Sequence, residues 1–163
     1  EELVAAEKEY QATQSEYAQR ILSDEGTQNG LYWKVAQGQP QSPIGPLVAS
    51  AVAEGYRKDQ SGAPTPFHGY YFHILTMQGA HAHGGAENYI VSGKMTRGFA
   101  FVAYPADYRS SGVMTFVVGD DGVVYQKDLG KETGVLAKEM KVYNPDPTWH
   151  KAEDQLEESA SER

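Results

Sequence analysis

An α+β fold, with an N-terminal helix packed on an antiparallel β-meander, is predicted by three observations. Residues 98–129 alternate apolar and polar positions at period two, break at Pro105 and alternate again. They turn at Asp121-Gly122, a dipeptide that supplies the positive φ of a tight hairpin turn. The helical pattern precedes the strands, which places helices against one sheet face.

The elements follow in chain order. Residues 2–22 read as an amphipathic helix, with Leu3, Ala6, Tyr10, Tyr17 and Ile21 near one face and Glu, Lys and Gln opposite. Gly26 is suited to cap its C-terminus. Leu31-Tyr32-Trp33 is an apolar anchor within a loop over 27–41. Ser42-Pro43 opens a second short helix that runs to about Glu54, where Gly55 stops it. A polar, Pro-rich connection over 57–66 leads to a strand from Gly69 to Met77. A small-residue loop over 79–87 separates it from strands over 95–104, 112–118 and 123–127. A short helix over 131–140 follows, and Asn144-Pro-Asp-Pro147 ends regular structure. Trp149 is expected to pack back as a last anchor. Residues 1–150 thus form one domain, and 151–163 an acidic tail. Residues 1–12 and the tail are not needed for the domain core on this reading, so either is expected to contact a neighbouring copy.

Composition narrows function. A chain of 163 residues can bury a core without staples, and 11 tyrosines, 5 phenylalanines and 2 tryptophans carry much of that burial. A net charge of −8 argues against nucleic-acid binding and against docking on an anionic membrane. No apolar run approaches a transmembrane span. With no cysteine, disulfides, thiolate catalysis and zinc-thiolate or iron–sulfur sites are excluded. The start on Glu rather than Met is what a removed leader leaves, so an extracellular or periplasmic location is expected.

The candidate chemical sites each have a plainer reading beside them. His81-Ala-His83 has a spacing that can chelate a transition metal, but a metal site normally takes three or more ligands, and Glu87 is the one acid close by. Two exposed loop histidines are the alternative. His68 and His73 flank the first predicted strand, where His68 is expected to hydrogen-bond a backbone group; His150 reads as solvated. Asp24, Glu25, Asn29, Asp120, Asp121 and Asp128 are the oxygen donors a Ca²⁺ ion would use, without EF-hand spacing. Ser110-Ser111-Gly112 lacks the nucleophile-elbow pattern, and Gly84-Gly85 lacks the Lys and helix of a phosphate loop. The tyrosines read as a core edge or a protein–protein contact. No catalytic residue, cofactor site or metal site is assigned.

A series of segments carries a resemblance. They are Glu16-Tyr-Ala-Gln19, Gly30-Leu-Tyr-Trp33, Ser42-Pro-Ile-Gly-Pro-Leu-Val48, Pro64-Thr-Pro-Phe-His-Gly-Tyr-Tyr-Phe72, Val102-Ala-Tyr-Pro105, Ser111-Gly-Val-Met-Thr-Phe116 and Asp121-Gly-Val-Val-Tyr-Gln-Lys-Asp-Leu-Gly130. Together with shorter matches they cover most of 16–149. The chain resembles the bacterial family catalogued as domain of unknown function 2950. That resemblance implies an exported protein with no assigned activity. A second, vaguer likeness is to the globular heads of type IV pilin-like proteins, which place an N-terminal helix against a meander with an Asp-Gly-Val hairpin. It implies a pilin-head-like fold without the apolar helical half that assembles pilins.

The function expected from these readings is a non-enzymatic, exported structural or assembly protein that self-associates, in its sharpest form into a filament. The alternative is a periplasmic binding or accessory module for another envelope protein. A hydrolase comes third and would need a cleft holding an acid or His of strongly perturbed pKa.

Overall fold

The computed structural model describes residues 2–35, 37–52 and 65–152. The connection over 57–64, the residues after Lys151-Ala152 and the expected stop of the second helix at 54–55 lie outside the described residues.

The first helix, α1 (Glu2–Gln14), buries Val4, Ala6, Glu7 and Tyr10. It is shorter than the periodicity predicts. Ser15 takes φ 61, a left-handed conformation that ends the helix. The residues beyond it are claimed by partners far along the chain. Tyr17 N–H donates to Met95 O at 2.7 Å, and Tyr32 N–H donates to Ile21 O at 2.8 Å. Tyr17 and Ile21 therefore reach the core from non-helical backbone, not from the helix face. Gly26, at φ 75, sits in the turn Asp24–Thr27 and caps no helix.

The second helix, α2 (Pro46–Ala49), is one turn long, where 42–54 was predicted. Gly45 before Pro46 is extended, as a residue preceding proline must be, and Ile44 N–H is taken by Leu31 O at 3.2 Å. The far end stops because Ser50 O accepts from Thr65 N–H at 2.8 Å and Ala51 O from Phe72 N–H at 3.0 Å. The chain leaves the helix to run beside the first strand.

The main sheet contains β1 (Tyr70–Leu75), β6 (Ala100–Pro105), β7 (Thr115–Gly119), β8 (Val124–Lys127) and β10 (His150–Lys151) in that order, all antiparallel. The meander read from the alternation is β6–β7–β8. Along β7 the pattern is strict: Thr115, Val117 and Gly119 are buried, Phe116 and Val118 half-buried. On β6, Phe101 and Val102 are both buried, so both faces of this strand are covered. The third helix, α3 (Thr133–Glu139), packs on β6.

The predicted strand over 95–104 divides at Gly98. β4 (Ile90–Val91) and β5 (Lys94–Met95) form a separate hairpin. Its turn is Ser92-Gly93, both at positive φ, a type I′ pair that matches strand twist. A third small sheet joins β3 (Glu87–Asn88), β2 (Met77–Gln78) and β9 (Val142–Tyr143), with β9 parallel to β2. Two-residue strands carry no period-two signal, so these were not readable. The layout is α+β. Trp149 is half-buried against the core, as expected.

The β7–β8 turn gives a first testable consequence. Gly122 has φ 76, its N–H donates to Gly119 O, and Asp121 Oδ1 accepts Val123 N–H at 3.0 Å. A Cβ there meets no atom within 4 Å, so the conformation alone carries the cost. Gly122→Val is expected to destabilise by about 1–3 kcal/mol, and Gly122→Asn by less, since Asn tolerates left-handed backbone. Denaturant midpoints of the two variants check the order.

Candidate interaction surface

The C-terminal third builds an exposed apolar corner. Asp128 starts it: its Oδ1 accepts Gly130 N–H at 2.9 Å and the Tyr108 hydroxyl at 2.6 Å. Those bonds hold its carboxyl below the usual range, the Tyr108 bond contributing most. Gly130, at φ 80, reverses the chain into a 3₁₀ turn, and the Thr133 hydroxyl donates back to Gly130 O. Thr133 and Ala137, four apart, form the buried stripe of α3. Val135 and Leu136 are therefore left outside, 55% and 48% exposed.

After Met140 the chain extends. Strand alternation turns Tyr143 inward, with its ring within 3.1 Å of where a Gly119 Cβ would sit, and leaves Val142 outside. Val135, Lys138, Glu139 and Lys141 line a shallow groove. Lys131 is exposed at the start of the same segment. The corner thus combines apolar side chains with three lysines and two glutamates, Glu132 and Glu139.

The sequence-predicted candidates lie elsewhere. His81 and His83 are both exposed, and the backbone of each is engaged: His81 N–H donates to Asn144 Oδ1, and His83 O accepts from Gln78 Nε2. Among the described residues no three His, Asp or Glu side chains gather in a metal-binding group. Asp24 is committed within its loop. Arg20 donates to Oδ1 at 2.7 Å and Asn29 Nδ2 to Oδ2 at 2.8 Å. Glu25, Asp120 and Asp121 are exposed. His150, in β10, is exposed as expected. His68 is exposed at φ 50 in the Phe67–Tyr70 turn, its ring edge-on to Phe67.

Ser111 locks the turn before β7, donating to Gly69 O at 2.8 Å and accepting Asp107 N–H at 3.0 Å. Gly84 and Gly85 sit in a loop held by Gln78, whose Nε2 donates to His83 O and Gly85 O. The tyrosines are mostly core fillers. Tyr10, Tyr89, Tyr104 and Tyr143 are buried, and Tyr17, Tyr71 and Tyr125 pack against the core. Of the two expected placements, these seven follow the core and its edge.

Two further expectations are corrected. His73 does not flank β1; it lies within the strand, 4% exposed, and burial pushes its imidazole down to about 4. The N-terminal helix is not spare. Val4, Ala6 and Tyr10 belong to the domain core, so α1 is needed to complete it.

Glu7, which the periodicity reads onto the polar face, is a residue that sequence reasoning misses. It is fully buried, and its Oε2 accepts Ala18 N–H at 2.7 Å. Burial pushes its carboxyl up to about 8, and the Ala18 bond offsets only part of that. The signal was its spacing: Glu7 lies four after Leu3 and three before Tyr10, on the inward stripe. A perturbed acid is the mark of a catalytic group when it faces a cleft. Glu7 has no exposed surface, so it is placed to act on the fold rather than on a substrate.

The profile of the family described as "Protein of unknown function (DUF2950)" matches residues 1–152. No curated protein and no solved structure matches the chain.

Proposed function

We propose, for a chain that belongs to the DUF2950 family of proteins of unknown function, a non-enzymatic structural or assembly role in the bacterial cell envelope, with copies of the chain associating through the α3–β9 corner. The observation that carries this reading is the corner itself. Val135, Leu136 and Val142 are exposed together with Lys131, Lys138 and Lys141. The chain as a whole carries a net charge of −8. With the exposed Glu132 and Glu139 beside them, these lysines leave the corner a positive excess of one on an acidic chain, next to exposed apolar side chains that another copy would cover. A contact between two different surfaces is heterologous, and repeats into rings or filaments. Export to the periplasm or beyond, and a pilin-head-like packing of α1 on the meander, belong to the same proposal.

Changing Val135 and Leu136 together to Asp tests it. Both side chains point away from the core, so the fold is expected to lose less than about 1 kcal/mol. Association is expected to fail, because two desolvated carboxylates would oppose the contact. In sedimentation velocity the wild type should exceed monomer mass at low salt and shift toward monomer as salt screens the lysines. A double variant that associates as strongly as wild type would show that the corner does not carry the contact. A wild type that never associates would leave the accessory-module reading, which the packing of α1 into its own core favours.

A further inference from the structure

The buried Glu7 carboxyl joins two parts of the chain. Glu7 belongs to α1; Ala18 belongs to the extended segment after Ser15. The Oε2–Ala18 bond of 2.7 Å ties one to the other across the helix end. Oε1 is buried and has no hydrogen-bond partner among the described residues. A protonated carboxyl tolerates that position, because it carries no charge. An ionised one leaves a buried charge with a single hydrogen bond.

The surroundings do not rescue the ion. Tyr10 on α1 and Tyr17 on the following segment are the titratable groups that Glu7 acts on. Glu16 acts on the same Tyr10, and its Oε2 is likewise buried without a partner among the described residues. Asp120, at the end of the main sheet, acts on Tyr17. Every charged group that shifts either tyrosine is thus an acid. Glu2, Lys8 and Glu9 are on the exposed face of α1. Tyr10 also fixes the helix by donating its hydroxyl to Gln28 O at 3.3 Å.

We propose that the Glu7 carboxyl is a proton-operated latch, closed on Ala18 when protonated and releasing α1 when ionised. Release uncovers the apolar face of Val4, Ala6 and Tyr10. The rest of the core, built on β6 and β7, stays closed. This inference is independent of association through the α3–β9 corner.

The test is amide-exchange protection of the full chain at pH 6 and pH 8, with intrinsic exchange rates divided out. A carboxyl that titrates near 8 when closed and in its ordinary range when open makes the open population rise about fifty-fold over that interval. The loss of protection should appear in α1 and at Ala18, and be smaller in β6. In Glu7→Gln the change should stay within about twofold, since the amide holds Ala18 at either pH. Equal protection of wild-type α1 at both pH values would overturn the latch. So would a loss shared equally with β6, or one that persists in Glu7→Gln. If Glu7→Gln does not fold, Glu7→Met removes the charge at similar volume. The carboxyl carbon shift of Glu7 in the wild type gives an independent reading, and a midpoint in the ordinary carboxylate range would also overturn the proposal.

Discussion

Gly30→Ala is expected to destabilise the fold by about 3–4 kcal/mol, out of proportion to one added methyl. The new Cβ would lie 2.8 Å from Ser23 N, 2.9 Å from Ile21 O and 2.9 Å from the Leu22 carbonyl carbon. All three are backbone atoms, so no side chain can swing aside. Relief requires parting the segment 20–23 from 30–32. That breaks Tyr32 N–H to Ile21 O and Ser23 N–H to Tyr32 O, and unseats Leu31, which is fully buried. Gly26→Ala is the control. Gly26 has φ 75 with nothing within 4 Å of its Cβ position, so its cost is conformational only, about 1 kcal/mol. Denaturant unfolding of the two variants measures the difference, and equal losses would show that the close approach does not constrain this pair of segments.

The second large effect is on the pH dependence of stability. Glu7 has a folded pKa raised from 4.5 to about 8, so its contribution is fully present below 4.5 and is lost as pH rises toward 8. His73 has a folded pKa lowered from 6.5 to about 4, so its contribution is present above 6.5 and is lost as pH falls toward 4. Between 4.5 and 6.5 the two slopes oppose each other. From 6.5 to 8 only Glu7 changes, and stability should fall by about 2 kcal/mol at roughly 1.4 kcal/mol per pH unit. Glu7→Gln should flatten that alkaline limb and leave the acid limb, while His73→Leu should do the reverse. Unfolding midpoints from pH 4 to 9 give both curves. A wild-type midpoint that rises between pH 6.5 and 8 would contradict the burial of Glu7.

The legible part of the fold was the part with period. Alternation located β6, β7 and β8, and Asp121-Gly122 located their turn because positive φ is written in its residues. The predicted helix overruns because Tyr17 and Ile21 keep an i, i+4 spacing on non-helical backbone, where Met95 and Tyr32 hold them. Local sequence does not carry those distant partners. The small sheets escaped because strands of two residues have no alternation, although Ser92-Gly93 was a readable hairpin turn. At the proposed surface, Thr133 and Ala137 are small and gave little sign that they, rather than Val135 and Leu136, face inward. Packing on β6 decides that orientation. The N-terminal helix was misjudged as dispensable for a similar reason: its partners come from the whole length of the chain.

The proposed association of copies through the α3–β9 corner is tested most directly by a dilution series followed by backbone amide NMR at low ionic strength. Isotope-labelled wild type should show concentration-dependent shifts and broadening over 131–142, reversed by salt, together with a second set outside that segment. Spectra that do not change up to millimolar concentration, or changes that leave Val135, Leu136 and Val142 untouched, would contradict it.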